Sequence, residues 1–236
     1  MFKTEILAFG AHPDDVECAA AGVIIGTVRR GGKVVIVDLT KGEMGSHGAV
    51  GQRAKEAIRA ADIMGVSMRE QLDLGDGNIF SSKTNRETVV RVIRKYRPKI
   101  VLANAFIDRH PDHGEAAKLV RDACFLSGLR KFSTENDGEW QEPWRPAGVY
   151  HYIQDYFVTP SFVVDISEYF AIKMKTIKSY RSQFVTASDR MPAGSIALLK
   201  QIESTNQIFG RAINVRYAEG FVTDRYVGVS DLRSLL

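Results

Sequence analysis

The sequence predicts an α/β protein with a Rossmann-like, doubly wound, mostly parallel sheet and helices on both faces. Three observations carry that prediction. Strand-like and helix-like runs alternate from Glu5 to Asn104, the order that a parallel sheet with crossover helices requires. Val34-Val35-Ile36-Val37-Asp38-Leu39 is apolar almost throughout, as in a strand covered on both faces. Two strand-to-helix turns contain the same tripeptide, His-Pro-Asp, at residues 12–14 and 110–112.

Taken in order, residues 5–10 read as the first strand and 16–30 as the first helix. Pro13 suits the first helical position, where its missing N–H has no partner to lose. The apolar run from Val34 is the second strand, and a Gly-rich loop, Lys41 to Gly48, follows it. Gln52 to Met64 reads as a helix with Ala54, Ala57, Ile58 and Ala61 toward the core. Gln71 to Leu74 is a short third strand, Thr84 to Tyr96 a helix, and Lys99 to Asn104 the fourth strand. In the order 3-2-1-4-5, strands one and four are neighbours. The crevice then lies at their carboxyl ends, where the connections diverge.

Beyond Ser127 the pattern is weaker. Lys131 to Arg145 is polar and reads as a long surface loop. Residues 149–153 and 162–166 read as strands, Glu168–Phe184 and Gly194–Phe209 as helices, and Ala212–Tyr217 as a late strand. Without a repeat or linker, one domain over residues 1–236 is the expectation.

Composition bounds the partners. Apolar residues make up 44% and charged residues 25%, as in ordinary soluble domains. No apolar run is long enough to span a bilayer, and Met1-Phe2-Lys3-Thr4-Glu5 leads into a strand without a signal-peptide core. We therefore expect no membrane partner and a cytoplasmic location. Cys18 and Cys124 read as reduced, buried side chains. The net charge of +4 is spread along the chain, with no basic stripe interleaved with aromatics, so no nucleic-acid partner is expected.

The crevice carries the chemistry. His12 ends one strand and Asp15 lies three residues on, so imidazole and carboxylate can point at one spot. The second turn, His110-Pro111-Asp112-His113, converges on the same crevice, and His113 completes a two-His, one-carboxylate set. Such a set leaves positions open for water and substrate, the catalytic pattern. The same donors suit Fe(II), so a non-heme iron enzyme is a competing reading. A third reading, a nucleotide-binding module, lacks the Gly-x-Gly-x-x-Gly turn after the first strand.

Ala11-His12-Pro13-Asp14-Asp15-Val16-Glu17 and His110-Pro111-Asp112-His113 together resemble the LmbE-like (PIG-L) family of metal-dependent N-acetylglucosaminide deacetylases. Gly42-Glu43-Met44-Gly45, Arg53 with Glu56, and Leu74-Gly75-Asp76-Gly77 extend the likeness. Tyr180-Arg181-Ser182-Gln183-Phe184 is similar to the bacillithiol-biosynthesis branch, which removes acetyl from N-acetylglucosaminyl malate. The resemblance implies a hydrolase that releases acetate from an aminosugar, and a homo-oligomer, trimer or hexamer. It implies zinc on His12, Asp15 and His113; Fe2+ stays the alternative ion that the donor types themselves allow. Asp14 would be the general base, and His110 the partner of the oxyanion or the acid for the leaving amine. Asp112 would orient one of the histidines. A broader, chitooligosaccharide-type deacetylase is the alternative to the malate substrate.

One position departs from the family. Some relatives carry tyrosine two residues before the first His of the second motif. Here it is Asp108, which leaves Tyr150 or no tyrosine to assist the oxyanion. Arg53 reads either as an exposed helix residue or, by resemblance, as a substrate contact. Asp76 reads as a turn former or as a partner of sugar hydroxyls. Arg109 borders the crevice and, with Arg53, could fork onto a malate carboxylate. His47 reads as solvent-facing or part of a lid, and His151 as a satisfied core histidine.

Overall fold

The apolar runs at the front of the chain form the centre of the sheet. In the computed structural model, residues 3–184 and 193–235 are described. Met1 and Phe2 of the N-terminal run lie outside that set. Strand β1 (Ile6–Gly10) is buried along its whole length between β2 (Val34–Asp38) and β4 (Ile100–Asn104), parallel to both. Leu7 and Phe9 face helices α3 (Lys83–Tyr96) and α4 (Pro111–Leu126), with Val89, Ile93, Leu119 and Val120. Ile6 and Ala8 face α1 (Asp15–Arg29), with Ala20 and Ile24. Burial on both faces is why these strands are continuous apolar runs. Truncating fully buried Phe9 to Ala would cost about 3–5 kcal/mol.

Three further strands complete the sheet: β7 (Gly148–Tyr152), β8 (Phe162–Asp165) and β9 (Ala218–Val222). With β3 (Met68–Gln71), the order among the described residues is β3-β2-β1-β4-β7-β9-β8. The expected neighbourhood of strands one and four is present, and β7 takes the fifth place in parallel. β9 runs antiparallel to its neighbours β7 and β8. Among the described residues, no helix is long and apolar enough to cross a membrane.

Several expected elements move. The third strand lies at Met68–Gln71 rather than 71–74, because Arg69 is buried there by the carboxylates of Asp38 and Glu17. A buried ion pair hides a strand from hydropathy. The late strand lies at 218–222 rather than 212–217, for the same reason. Its Glu219 is fully buried, accepting from Lys173 Nζ at 2.8 Å and from the backbone N–H groups of Gly22 and Val23. The helix expected over 168–184 divides into α5 (Phe170–Ile177) and a short α6 (Arg181–Phe184) around Tyr180. α2 (Val50–Met64) buries Arg53, Glu56, Ala57, Ala60, Ala61 and Met64, which leaves Ile58 on the outside. The 131–145 stretch holds a two-stranded hairpin, β5 (Glu135–Asn136) and β6 (Glu139–Trp140). α7 (Ala193–Ala212) precedes β9 and passes beside the crevice. Both cysteines are free and buried.

Candidate metal centre

The carboxyl ends of β1, β2, β3, β4 and β7 face one crevice, and their loops supply its side chains. In the turn after β1, the N–H of His12 donates to Asp15 Oδ2 at 3.0 Å, and the N–H of Asp15 returns to the His12 carbonyl at 3.4 Å. Asp14 is the N-cap of α1, in the left-handed region at φ 105°. Pro13 therefore precedes the helix and does not take its first position. Arg53 fastens this turn from α2, donating to the carbonyls of Pro13 at 2.8 Å and Gly42 at 2.9 Å. Gly42 has a positive φ, and a Cβ there would collide with the Arg53 guanidinium, so only glycine permits the contact.

In the turn after β4, His110 is the N-cap of α4 and Pro111 takes the first helical position. The N–H of Asp112 donates to His110 Nδ1 at 3.3 Å. His12, His110 and His113 gather with ring centroids 4.6 to 5.6 Å apart.

Each of two histidines has one ring nitrogen held from behind. His12 Nε2 lies 3.1 Å from Asp112 and 3.0 Å from Asp76, while its Nδ1 lies 3.6 Å from Asp15 Oδ2. His113 Nδ1 lies 2.7 Å from Asp108, while its Nε2 lies 3.2 Å from Asp15 Oδ1. Carboxylates behind histidines fix tautomer and ring orientation for metal binding. Four buried carboxylates thus meet two imidazoles, an excess of negative charge suited to a cation. Burial opposes charge on His12, but Asp112, Asp15 and Asp76 outweigh it and push its pKa up to about 11. Burial opposes charge on His113 too, and Asp15 and Asp108 raise it to about 10. Burial would raise Asp15, yet His113 and His12 hold it well below the usual carboxylate range. A divalent ion would take the place of the two imidazole protons.

That donor chemistry fits a metal. Among the described residues, two sets bring ligand atoms within reach of one ion: His12 with His110 and His113, and His12 with Asp76 and Asp112. Asp15 belongs to neither set; its Oδ2 lies 3.6 Å from His12 Nδ1 and its Oδ1 3.2 Å from His113 Nε2.

The remaining expected residues fall as follows. His12, Asp14, Asp15, Arg53, Asp76, Arg109, His110 and His113 all line one cavity of about 640 Å³. A larger cavity of about 910 Å³, beside α4 and β7, holds no such cluster among the described residues, so chemistry and not size marks the site. Asp14 is partly exposed, and burial pushes it up to about 7 against the pull of Arg53. Burial, then positive charge on His12 and His113, hold His110 below its usual value. Asp112 lies behind His12 and also takes the N–H of Gly77 at 2.7 Å. Asp76 spends Oδ1 on His12 and Oδ2 on the N–H of Met44. The terminal nitrogens of Arg53 are taken up by the protein's own carbonyls. Arg109 is exposed at the mouth and pairs with Asp155. His151 is a core histidine on the carbonyl of Asn104, His47 is exposed, and Tyr150 lines the larger cavity instead of this one.

Sequence reasoning missed Asp108 as the partner of His113, and it missed Asn104 and Gln154, which donate to Asp15 at 3.0 and 2.9 Å. A polar Asn104 closing an apolar strand is a signal for the second. Gln154 has none, because its loop reaches the site only through the sheet order.

A family model described as PIG-L, GlcNAc-PI de-N-acetylase, matches residues 7–124. The diacetylchitobiose deacetylase of Thermococcus kodakarensis is 31% identical over 227 residues, covering 92% of this chain and 81% of that protein. The conserved protein TT1542 from Thermus thermophilus superposes with a TM-score of 0.87 at 32% identity, covering 96% of this chain and 97% of that one. The N,N'-diacetylchitobiose deacetylase of Pyrococcus horikoshii, in complex with its inhibitor MPG, has a TM-score of 0.78 at 26% identity. That match covers 92% of this chain and 82% of that one.

Proposed function

The chain belongs to the PIG-L family of de-N-acetylases, and from that premise we propose that it hydrolyses the acetamide of an N-acetylated aminosugar, of the chitooligosaccharide type. The observation that carries the reading is Asp14: an acid at the crevice beside the His12–Asp15–His113 set, with a pKa near 7. The deacetylase relatives support the hydrolytic class, and the two diacetylchitobiose enzymes support the substrate type.

His12, Asp15 and His113 would hold zinc, and the same donors would accept Fe2+. When bound, zinc supplies a Lewis acid for the acetyl carbonyl and makes a water acidic at neutral pH. Asp14 takes a proton from water and returns it to the departing amine nitrogen, a transfer favoured by a pKa near the working pH. His110, which burial holds below its usual pKa, offers an imidazole N–H to the developing oxyanion. Asp112 and Asp76 keep His12 in one tautomer from behind.

N-acetylglucosaminyl malate is the second reading. The Tyr180–Phe184 segment supports it, since Gln183 and Phe184 line the crevice. With the terminal nitrogens of Arg53 engaged internally, recognition of the malate carboxylates falls to Arg109. The test is acetate release from N,N'-diacetylchitobiose, N-acetylglucosaminyl malate and N-acetylglucosamine, with metal analysis of the purified chain. We expect the highest kcat/KM on diacetylchitobiose. A higher value on the malate would favour the second reading, and no acetate from any of the three would remove both.

A further inference from the structure

Asp15 is held by more than histidines. Its Oδ2 accepts from Asn104 Nδ2 at 3.0 Å and from the backbone of His12 at 3.0 Å, and its Oδ1 accepts from Gln154 Nε2 at 2.9 Å. Asn104 is itself fixed, since its Oδ1 takes the N–H of Ala11 at 3.0 Å. Gln154 comes from the loop after β7, and its two successors touch the same centre from the other side. The N–H of Tyr156 donates to Asp108 at 3.1 Å, and Asp108 holds His113. Asp155 pairs with Arg109 and accepts from Gln201 of α7. Three consecutive residues therefore brace the carboxylate, the carboxylate behind His113, and the helix across the crevice.

We propose that Gln154 is a positioning residue of the metal site, its amide fixing the plane of the Asp15 carboxylate between His12 and His113. The inference rests on the reading of those three residues as metal ligands. The terminal torsion of an aspartate is broad, so donors to its oxygens decide where the lone pairs point. Asn104 and the His12 backbone secure one oxygen. Besides His113, Gln154 is the donor that secures the other among the described residues. Outer partners of this kind typically contribute about 10–100-fold to metal affinity.

The experiment measures zinc affinity by competition with a chelating dye, and the visible spectrum of the cobalt(II)-loaded chain, for wild type and variants. Gln154→Met keeps length and bulk but removes the donor. We expect its zinc affinity to fall about 10–100-fold and its cobalt spectrum to change, with the unfolding midpoint of the metal-free chain unaltered. Gln154→Asn, which withdraws the amide by one methylene, should fall with it. Phe157→Ala, at an exposed residue of the same loop that stacks on Phe209, should bind zinc like wild type. Wild-type zinc affinity and an unchanged cobalt spectrum in Gln154→Met would overturn the proposal. A wild-type chain that binds neither ion would overturn the metal reading beneath it.

Discussion

The two His-Pro-Asp turns share a tripeptide and a place at the end of a central strand, yet they enter their helices two residues out of step. In the second turn, His110 is the N-cap and Pro111 takes the first helical position, with ordinary backbone angles. In the first, the helix starts later: Asp14 is the N-cap at φ 105°, and His12 and Pro13 lie outside. His12 thus approaches from the incoming strand, whereas His113 projects from within the first turn of α4. The difference follows from neighbours. Arg53 pulls the Pro13 carbonyl toward α2, and Asp15 closes back on the N–H of His12. An identical tripeptide therefore delivers its residues in two geometries, and that asymmetry lets two turns surround one point. Left-handed backbone at a non-glycine residue costs of order 1–3 kcal/mol and collects at functional sites.

If both turns serve one ion, removing either histidine should have the same effect. His12→Ala and His113→Ala are each expected to lose bound zinc and all acetate release, as measured by metal analysis and a coupled acetate assay. One tightly held zinc per chain in either variant would divide the two turns.

The third residues of the tripeptides should differ. Asp14→Asn is expected to keep the metal while kcat falls by about two to four orders of magnitude, the usual worth of a general base. Asp112→Asn should act chiefly through His12, weakening zinc by about 10–100-fold. Equal metal loss in both variants would erase the distinction.

The pH dependence tests the shared carboxylates. In the metal-free chain His12 and His113 are raised from 6.5 to about 11 and about 10. A pKa raised on folding gives stability that is full below about 6.5 and is lost as pH climbs through the folded-state values. The unfolding midpoint of chelator-treated protein should therefore decline as pH rises from about 6.5 to about 11. A flat profile would mean that the imidazoles carry no such charge. Excess zinc, which replaces those protons, should flatten the decline.

The smallest effect concerns backbone alone. Asp14→Gly should be more stable than Asp14→Ala by about 1 kcal/mol in denaturant unfolding, because only glycine accepts a left-handed φ freely. At position 112, inside a regular helical turn, the order should reverse, alanine exceeding glycine by about 1 kcal/mol.

Much of this molecule is legible in its pattern, and the reason is local. Apolar runs at Ile6 and Val34 mark strands covered on both faces, and alternation with helices implies the parallel order in which β1 and β4 are neighbours. That order brings His12, Asp15 and His113 together, since each lies just past a strand end or in the first turn of the next helix. What hydropathy could not reveal were buried charges. Arg69 in β3 and Glu219 in β9 look unlike core residues, and each is tolerated only because its partners arrive from distant segments. The same holds for function. Residue identity and spacing made His12, Asp15 and His113 candidates, whereas tertiary structure set Asp108 behind His113, turned Arg53 inward onto Pro13, and brought Gln154 to Asp15 across 139 residues of sequence. Periodicity records how much of a residue is buried, but the free energy of a buried polar group depends on which donor or acceptor meets it. That pairing is decided only when the strands are in register.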